Sequence, residues 1–147
     1  MGEIGLPQPG RLILISPWLD LTVSNPDLPA LEPSDPWLTI VGSVEAGKVW
    51  AGGDDPTGPR LSPLNGTLTG LAPIDVYVGT RELCHPDVLL LEERATRAGA
   101  ELRLTVCDGA VHVYPLVPAP EGRAAARRIV RTVARGAAEE ADPVRGR

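Results

Sequence analysis

The 147-residue sequence contains no phenylalanine, and its aromatic residues are only Trp18, Trp37, Trp50, Tyr77 and Tyr114. A core without phenylalanine has to be packed from Leu, Val, Ile and Ala. Cysteine is scarcer still: Cys84 and Cys107 are the only two, too few for a disulfide framework. A bridge between them is geometrically conceivable, near the ends of adjacent strands, but cytosolic cysteines stay mostly reduced. No apolar stretch approaches a membrane span, and no charged start followed by an apolar segment marks a secretory signal, so a cytoplasmic location is expected. Positive charge is also in deficit. With 14 Lys and Arg against 19 Asp and Glu, the net charge is −5, the wrong sign for a surface that binds phosphates. Arg127, Arg131 and Arg135 share a helix face, and a solvated face explains them. Neither nucleic acid nor membrane is expected as a partner.

Two further absences are chemical. None of the five serines, Ser16, Ser24, Ser34, Ser43 and Ser62, lies in a Gly-x-Ser-x-Gly turn. Ser16 ends a strand before Pro17, which precludes the strand-to-helix turn that exposes an attacking hydroxyl. Cys84, His85, Cys107 and His112 are nominally four zinc ligands. They contain no Cys-x-x-Cys pair, and adjacent Cys84 and His85 would struggle to point at one ion. No metal and no cofactor is expected.

What is present is a globular composition, 43% hydrophobic with 16 Gly and 16 Pro, enough for one domain with a real core. Arg11–Ser16 is a continuous apolar run that reads as a strand buried on both faces, as in the middle of a parallel sheet. A long connection follows, in which Asp35-Pro36 resembles an N-cap with a first-turn proline. Trp37, Ile40, Val41 and Val44 supply the inward face of a helix that stops at Gly52-Gly53. Ile74–Val78 is a second strand, with Ile74, Val76 and Val78 on one face and Tyr77 on the other. A helix runs from Pro86 to Ala98, buried along Leu91, Ala95 and Ala98. Glu101–Val106 alternates polar and apolar, as a sheet-edge strand does. Glu121–Arg135 is a last helix facing inward with Ala125, Ile129 and Val133. From Gly136 the segment is charged and aperiodic, and a flexible tail is expected. This order implies parallel strands joined by right-handed crossovers.

Chemistry enters on two loops. Glu82 follows the second strand, and His112, within Gly109-Ala110-Val111-His112, follows the third. Acid first and histidine second is how a Ser…Asp/Glu…His hydrolase ends. His85 carries no such motif and reads as an exposed loop residue.

Five segments, in order, carry a wider resemblance: Ser16-Pro17-Trp18-Leu19-Asp20-Leu21-Thr22, Trp50-Ala51-Gly52-Gly53-Asp54-Asp55-Pro56, Arg60-Leu61-Ser62-Pro63-Leu64, Gly79-Thr80-Arg81-Glu82-Leu83 and Gly109-Ala110-Val111-His112. Together they resemble the hormone-sensitive-lipase-like esterases, or α/β-hydrolase fold-3. The resemblance implies an α/β fold, a parallel-sheet fragment similar to the last three strands and flanking helices of an α/β-hydrolase. It implies hydrolysis of short acyl or acetyl esters through an acyl-serine, with His112 as base and Glu82 as acid. Glu82 stands where the family usually has Asp, and its extra methylene requires the loop to sit further back. Asp87 is similar to the family's second acidic residue and is expected to cap the helix at Pro86. The family's serine elbow and its oxyanion motif of the His-Gly-Gly type lie upstream of the segment matching Arg11.

On this basis residues 1–10 are expected to be an N-terminal connection, 11–135 the C-terminal half of a hydrolase domain, and 136–147 a tail. The partner is a small-molecule ester, if an N-terminal half completes the site. The alternative is a non-catalytic module, or the product of a decayed gene, whose free strand edge pairs with a partner or with a second copy.

Overall fold

A strand with apolar residues on both sides needs a layer against each face of its sheet. In the computed structural model, which describes residues 8–141, that strand is β2 (Ile74–Gly79), buried along its whole length. Ile74, Val76 and Val78 project to one side, into a core shared with Leu19, Leu64, Val88, Leu91 and Ala95. Tyr77 projects to the other, against Ala110, Tyr114 and Ala125. The sheet is parallel in the order β1-β2-β3, with β1 at Leu12–Ile15 and β3 at Leu102–Cys107. Register places Leu12 beside Ile74 and Leu14 beside Val76, while Ile74 and Val76 face Leu102 and Leu104 on the other flank. One apolar layer therefore crosses all three strands.

The architecture is the α/β parallel sheet that the sequence implies. Among the described residues β1 pairs only with β2, so the strand that reads as central has its other edge unpaired, and its four residues are half-buried instead of buried. An unbroken apolar run reports packing on the two faces of a strand, and carries no information about how many neighbours it has. β3 is half-exposed as its alternation predicts.

The helices divide in the same way. α3 (His85–Ala98) buries Val88, Leu91 and Ala95, leaves Ala98 partly buried, and ends on left-handed Gly99. After the four-residue α1 (Leu28–Leu31) comes α2 (Ile40–Ala51). Its expected apolar face is only partly realised: Trp37 just before it is 55% exposed and Val41 is 73% exposed, while Ile40 and Val44 are half-buried. At i, i+3 and i+4 spacing Ile40 and Val44 share their face with Gly47 and Ala51, the buried residues of the helix. Gly47 approaches the chain so closely that a Cβ would stand 2.6 Å from the Leu21 carbonyl oxygen. The backbone of Leu21 therefore requires glycine within the packed face. The N-cap is Thr39, whose Oγ1 accepts from the Gly42 N–H at 3.1 Å, and not Asp35. α4 (Pro120–Ala141) runs past the expected end at Arg135. One glycine at position 136 costs a helix only about 1 kcal/mol, and the Ala-Ala-Glu-Glu that follows favours it. Of its expected inward residues Ala125 is buried and Ile129 partly so, but Val133 is exposed. Residues 1–7 of the expected N-terminal connection and 142–147 of the expected tail lie outside the described residues.

The connection after β1 is held by one buried carboxylate. Asp20 accepts from the N–H and hydroxyl of Thr22 at 2.9 and 2.6 Å, and from those of Ser24 at 3.0 and 2.6 Å. Ser62, fully buried, accepts from the Leu21 N–H at 2.7 Å and donates to the Pro56 carbonyl at 2.6 Å. Burial pushes Asp20 up, but the hydrogen bonds from Ser24 and Thr22 outweigh it and bring its pKa down to about 2. A carboxyl depressed on folding contributes stability above its unfolded pKa and loses it as pH falls through the folded one. Asp20→Asn should therefore cost about 1–2 kcal/mol at pH 7. In urea unfolding, the gap from wild type should close between pH 4 and pH 2.

Candidate active site

Glu82 is a large polar side chain with no solvent exposure, so each oxygen needs a partner inside the protein. Oε1 accepts from the Gly79 N–H at 2.6 Å and from the Ser16 hydroxyl at 2.7 Å. Oε2 lies 2.7 Å from His112 Nδ1. The turn after β2 makes this possible because the side chain folds back onto the N–H three residues earlier. The extra methylene of glutamate is taken up in that curl, and the carboxylate still reaches the ring.

The histidine loop is bonded to the same turn by backbone. Thr80 N–H donates to the Cys107 carbonyl at 3.1 Å, Arg81 N–H to the Ala110 carbonyl at 3.0 Å, and Gly109 N–H to Thr80 Oγ1 at 2.8 Å. At Gly79 the two loops touch: a Cβ there would sit 2.2 Å from the Ala110 carbonyl oxygen. Val113, with φ of 48°, donates its N–H to Ser16 Oγ at 2.8 Å. Asp35 ties the acid loop from the other side, taking the Leu83 N–H at 2.8 Å on Oδ2 while Oδ1 closes its own turn on Trp37 and Leu38.

A carboxylate can only accept, so His112 Nδ1 carries a proton, and in the neutral ring Nε2 presents its lone pair. The His112 side chain is 22% exposed, and among the described residues no side chain hydrogen-bonds Nε2. This is an imidazole oriented by an acid and open on its reactive side. The serines do not complete it. Ser16 lies on the acid side of the pair, Ser24 and Ser62 belong to the Asp20 turn, Ser34 donates to the Leu31 carbonyl at 2.8 Å, and Ser43 lies within α2.

The structure thus brings Glu82 and His112 together, and it adds Ser16, which local sequence presents only as an attacking group out of place. The signal that could have found it is its position: a polar residue closing an apolar strand, at the end where the acid and histidine loops also emerge. Asp87 does not cap α3. It accepts from Asn25 Nδ2 at 2.7 Å, and burial pushes its carboxyl above the ordinary value. His85 opens α3 half-buried instead of standing in an exposed loop.

Both cysteines are free. Cys84 Sγ is 3.9 Å from His112 Nδ1, and Glu82, Cys84 and His112 hold donor atoms within 4.8 Å of one another. Burial, followed by the charge of Glu82, pushes the Cys84 thiol up, whereas a metal ligand must be a thiolate. With Oε2 and Nδ1 already bonded to each other, the cluster has the chemistry of an acid–base pair. A cavity of about 740 Å³ lies between α1 and α3, lined by residues such as Asn25, Leu31, His85 and Leu89. It includes neither Glu82 nor His112.

A parallel sheet with an acid and a histidine on the loops after successive strands defines the α/β-hydrolase class. The model of the alpha/beta hydrolase fold family matches residues 1–116, and the chain belongs to that family. It is 32% identical over 127 residues to an acetyl-hydrolase of Streptomyces hygroscopicus, covering 84% of this chain and 42% of that protein. An esterase of Acinetobacter venetianus is 36% identical over 103 residues, 69% of this chain and 34% of the relative. Among solved structures, a hormone-sensitive lipase from a metagenome library superposes with a TM-score of 0.86 at 28% identity, covering 92% of this chain and 46% of that one. An esterase of the bacterial hormone-sensitive lipase family gives a TM-score of 0.80 at 33% identity, covering 86% and 43%. The chain spans less than half the length of each.

The contact at Gly79 generates a direct test. Gly79→Ala should destabilise the fold by about 1–3 kcal/mol, the usual range for forced overpacking. Thermal unfolding would measure it, and an unchanged melting temperature would refute the close approach.

Proposed function

We propose that residues 11–135 are the C-terminal half of a carboxylic ester hydrolase domain, in which Glu82 and His112 are the acid and base of a Ser-acid-His mechanism. The observation that carries the reading is the buried Glu82 carboxylate bonded to His112 Nδ1 at 2.7 Å with Nε2 left open. The kinship with an acetyl-hydrolase and esterases supports short acyl or acetyl esters as substrates. In this reading a serine outside the 147 residues attacks the ester carbonyl while His112 Nε2 takes its proton. His112 returns that proton to the departing alcohol, which leaves an acyl-serine. Water, deprotonated by the same nitrogen, then attacks the acyl carbon, and the proton passes to the serine oxygen as the acid departs. Glu82 holds the ring and stabilises the imidazolium that forms in each step. No metal or cofactor enters this scheme. The surroundings are proposed to be cytoplasmic; among the described residues no helix is long and apolar enough to cross a membrane.

The 147-residue chain alone should show no saturable turnover of p-nitrophenyl acetate beyond free imidazole. Joined to a segment bearing the Gly-x-Ser-x-Gly turn and the oxyanion donors, it should gain esterase activity. His112→Ala should then lower kcat by a factor on the order of 10³ or more, as losses of triad members do. Saturable hydrolysis by the unaided chain, abolished by His112→Ala, would refute the half-domain reading.

A second reading rests on a different observation, the side of β1 that is unpaired among the described residues, together with the exposed Trp37, Val41, Val49 and Trp50 around α2. As a non-catalytic module the chain would add a strand from a partner, or from its own copy, to that edge. Sedimentation analysis separates the two cases, because a monodisperse monomer over a wide concentration range argues against strand pairing.

A further inference from the structure

Ser16 directly follows the last residue of β1 and has 4% of its surface exposed. Its φ is 45°, in the left-handed region that disfavours every residue with a Cβ. Glycine would be the easier occupant for the backbone, so what serine contributes here is its hydroxyl. That hydroxyl has a single proton, which goes to Glu82 Oε1 at 2.7 Å, while its lone pair takes the Val113 N–H at 2.8 Å. One oxygen therefore joins three segments far apart in sequence: the end of β1, the acid, and the residue directly after His112.

Resting on the reading of Glu82 and His112 as acid and base, we propose that Ser16 is a positioning residue that fixes the Glu82 carboxylate in rotation and the His112 backbone in place, so that Oε2 meets Nδ1. Without the hydroxyl, Oε1 keeps only the Gly79 N–H, and the carboxylate can turn about its last torsion. The Val113 N–H loses its acceptor at the same moment. Both changes act on one bond, the one between Oε2 and Nδ1. Cys84 Sγ, 3.9 Å from Nδ1, is too weak a partner to replace it.

The test is proton NMR of the histidine rings in the 147-residue chain, without substrate. The two histidines make it self-controlled, since His85 lies at the start of α3 and outside the network. Wild type should show a downfield His112 Nδ1 proton protected from solvent exchange. Ser16→Gly, which eases the backbone but removes the hydroxyl, should speed that exchange by about tenfold or more, leaving His85 unchanged. Ser16→Cys, close in shape but a poor donor and acceptor, should do the same, and it decides the matter if the glycine variant does not fold. A folded variant of either kind that keeps the wild-type exchange rate overturns the role of Ser16 while leaving the acid–base pair standing. Absence of a protected proton in wild type overturns the pair itself, and with it the proposed function.

Discussion

A carboxylate removed from water loses several kcal/mol of hydration unless protein groups replace every contact it gave up. Glu82 meets that requirement with three donors drawn from three places: a backbone N–H of its own turn, a hydroxyl from the end of β1, and the ring of His112. None of the three can move without stranding charge. The loop after β2 therefore closes on Gly79, the loop after β3 packs against that glycine, and β1 ends in an unfavourable backbone conformation that delivers its hydroxyl. The local geometry around the pair follows from satisfying one side chain.

The motifs that carry the family resemblance divide along the same physical line. Gly79-Thr80-Arg81-Glu82 and Gly109-Ala110-Val111-His112 build the acid–base pair and the backbone ladder between its loops. Ser16-Pro17-Trp18-Leu19-Asp20 and Arg60-Leu61-Ser62-Pro63-Leu64 meet one another: Ser62 takes the Leu21 N–H, and Leu64 N–H donates to the Leu19 carbonyl at 3.0 Å. The second group reads as chemistry in a sequence, because serine and aspartate are chemical residues, yet in the fold all of it but Ser16, which bonds Glu82, ties down the long connection. Asp35, within that connection, holds the acid loop through the Leu83 N–H.

This division explains what could be read from the chain beforehand. The two faces of β2, the span of α3 up to Gly99 and the succession of acid and histidine were all legible, since each depends on local periodicity or on order along the chain. The half-burial of β1 was not, because a Leu-Ile-Leu-Ile run does not show how fully its own faces are covered. The exposure of Trp37 and Val41 was hidden for a related reason: α2 buries Gly47 and Ala51, small residues to which hydrophobic patterning gives little weight. Ser16 escaped because its partners lie 66 and 97 residues away. No local pattern encodes a side chain whose purpose is to satisfy groups that distant.

The exposed aromatic residues have an optical consequence. Trp18, Trp37 and Trp50 are 41%, 55% and 74% exposed, and none belongs to either core cluster. Tryptophan emission in the folded chain should already resemble that of indole in water, so it would change little when the core melts. The same emission would shift to the blue when another surface covers α2. The chain carries an intrinsic reporter of contact at that face, and a poor one of its own unfolding.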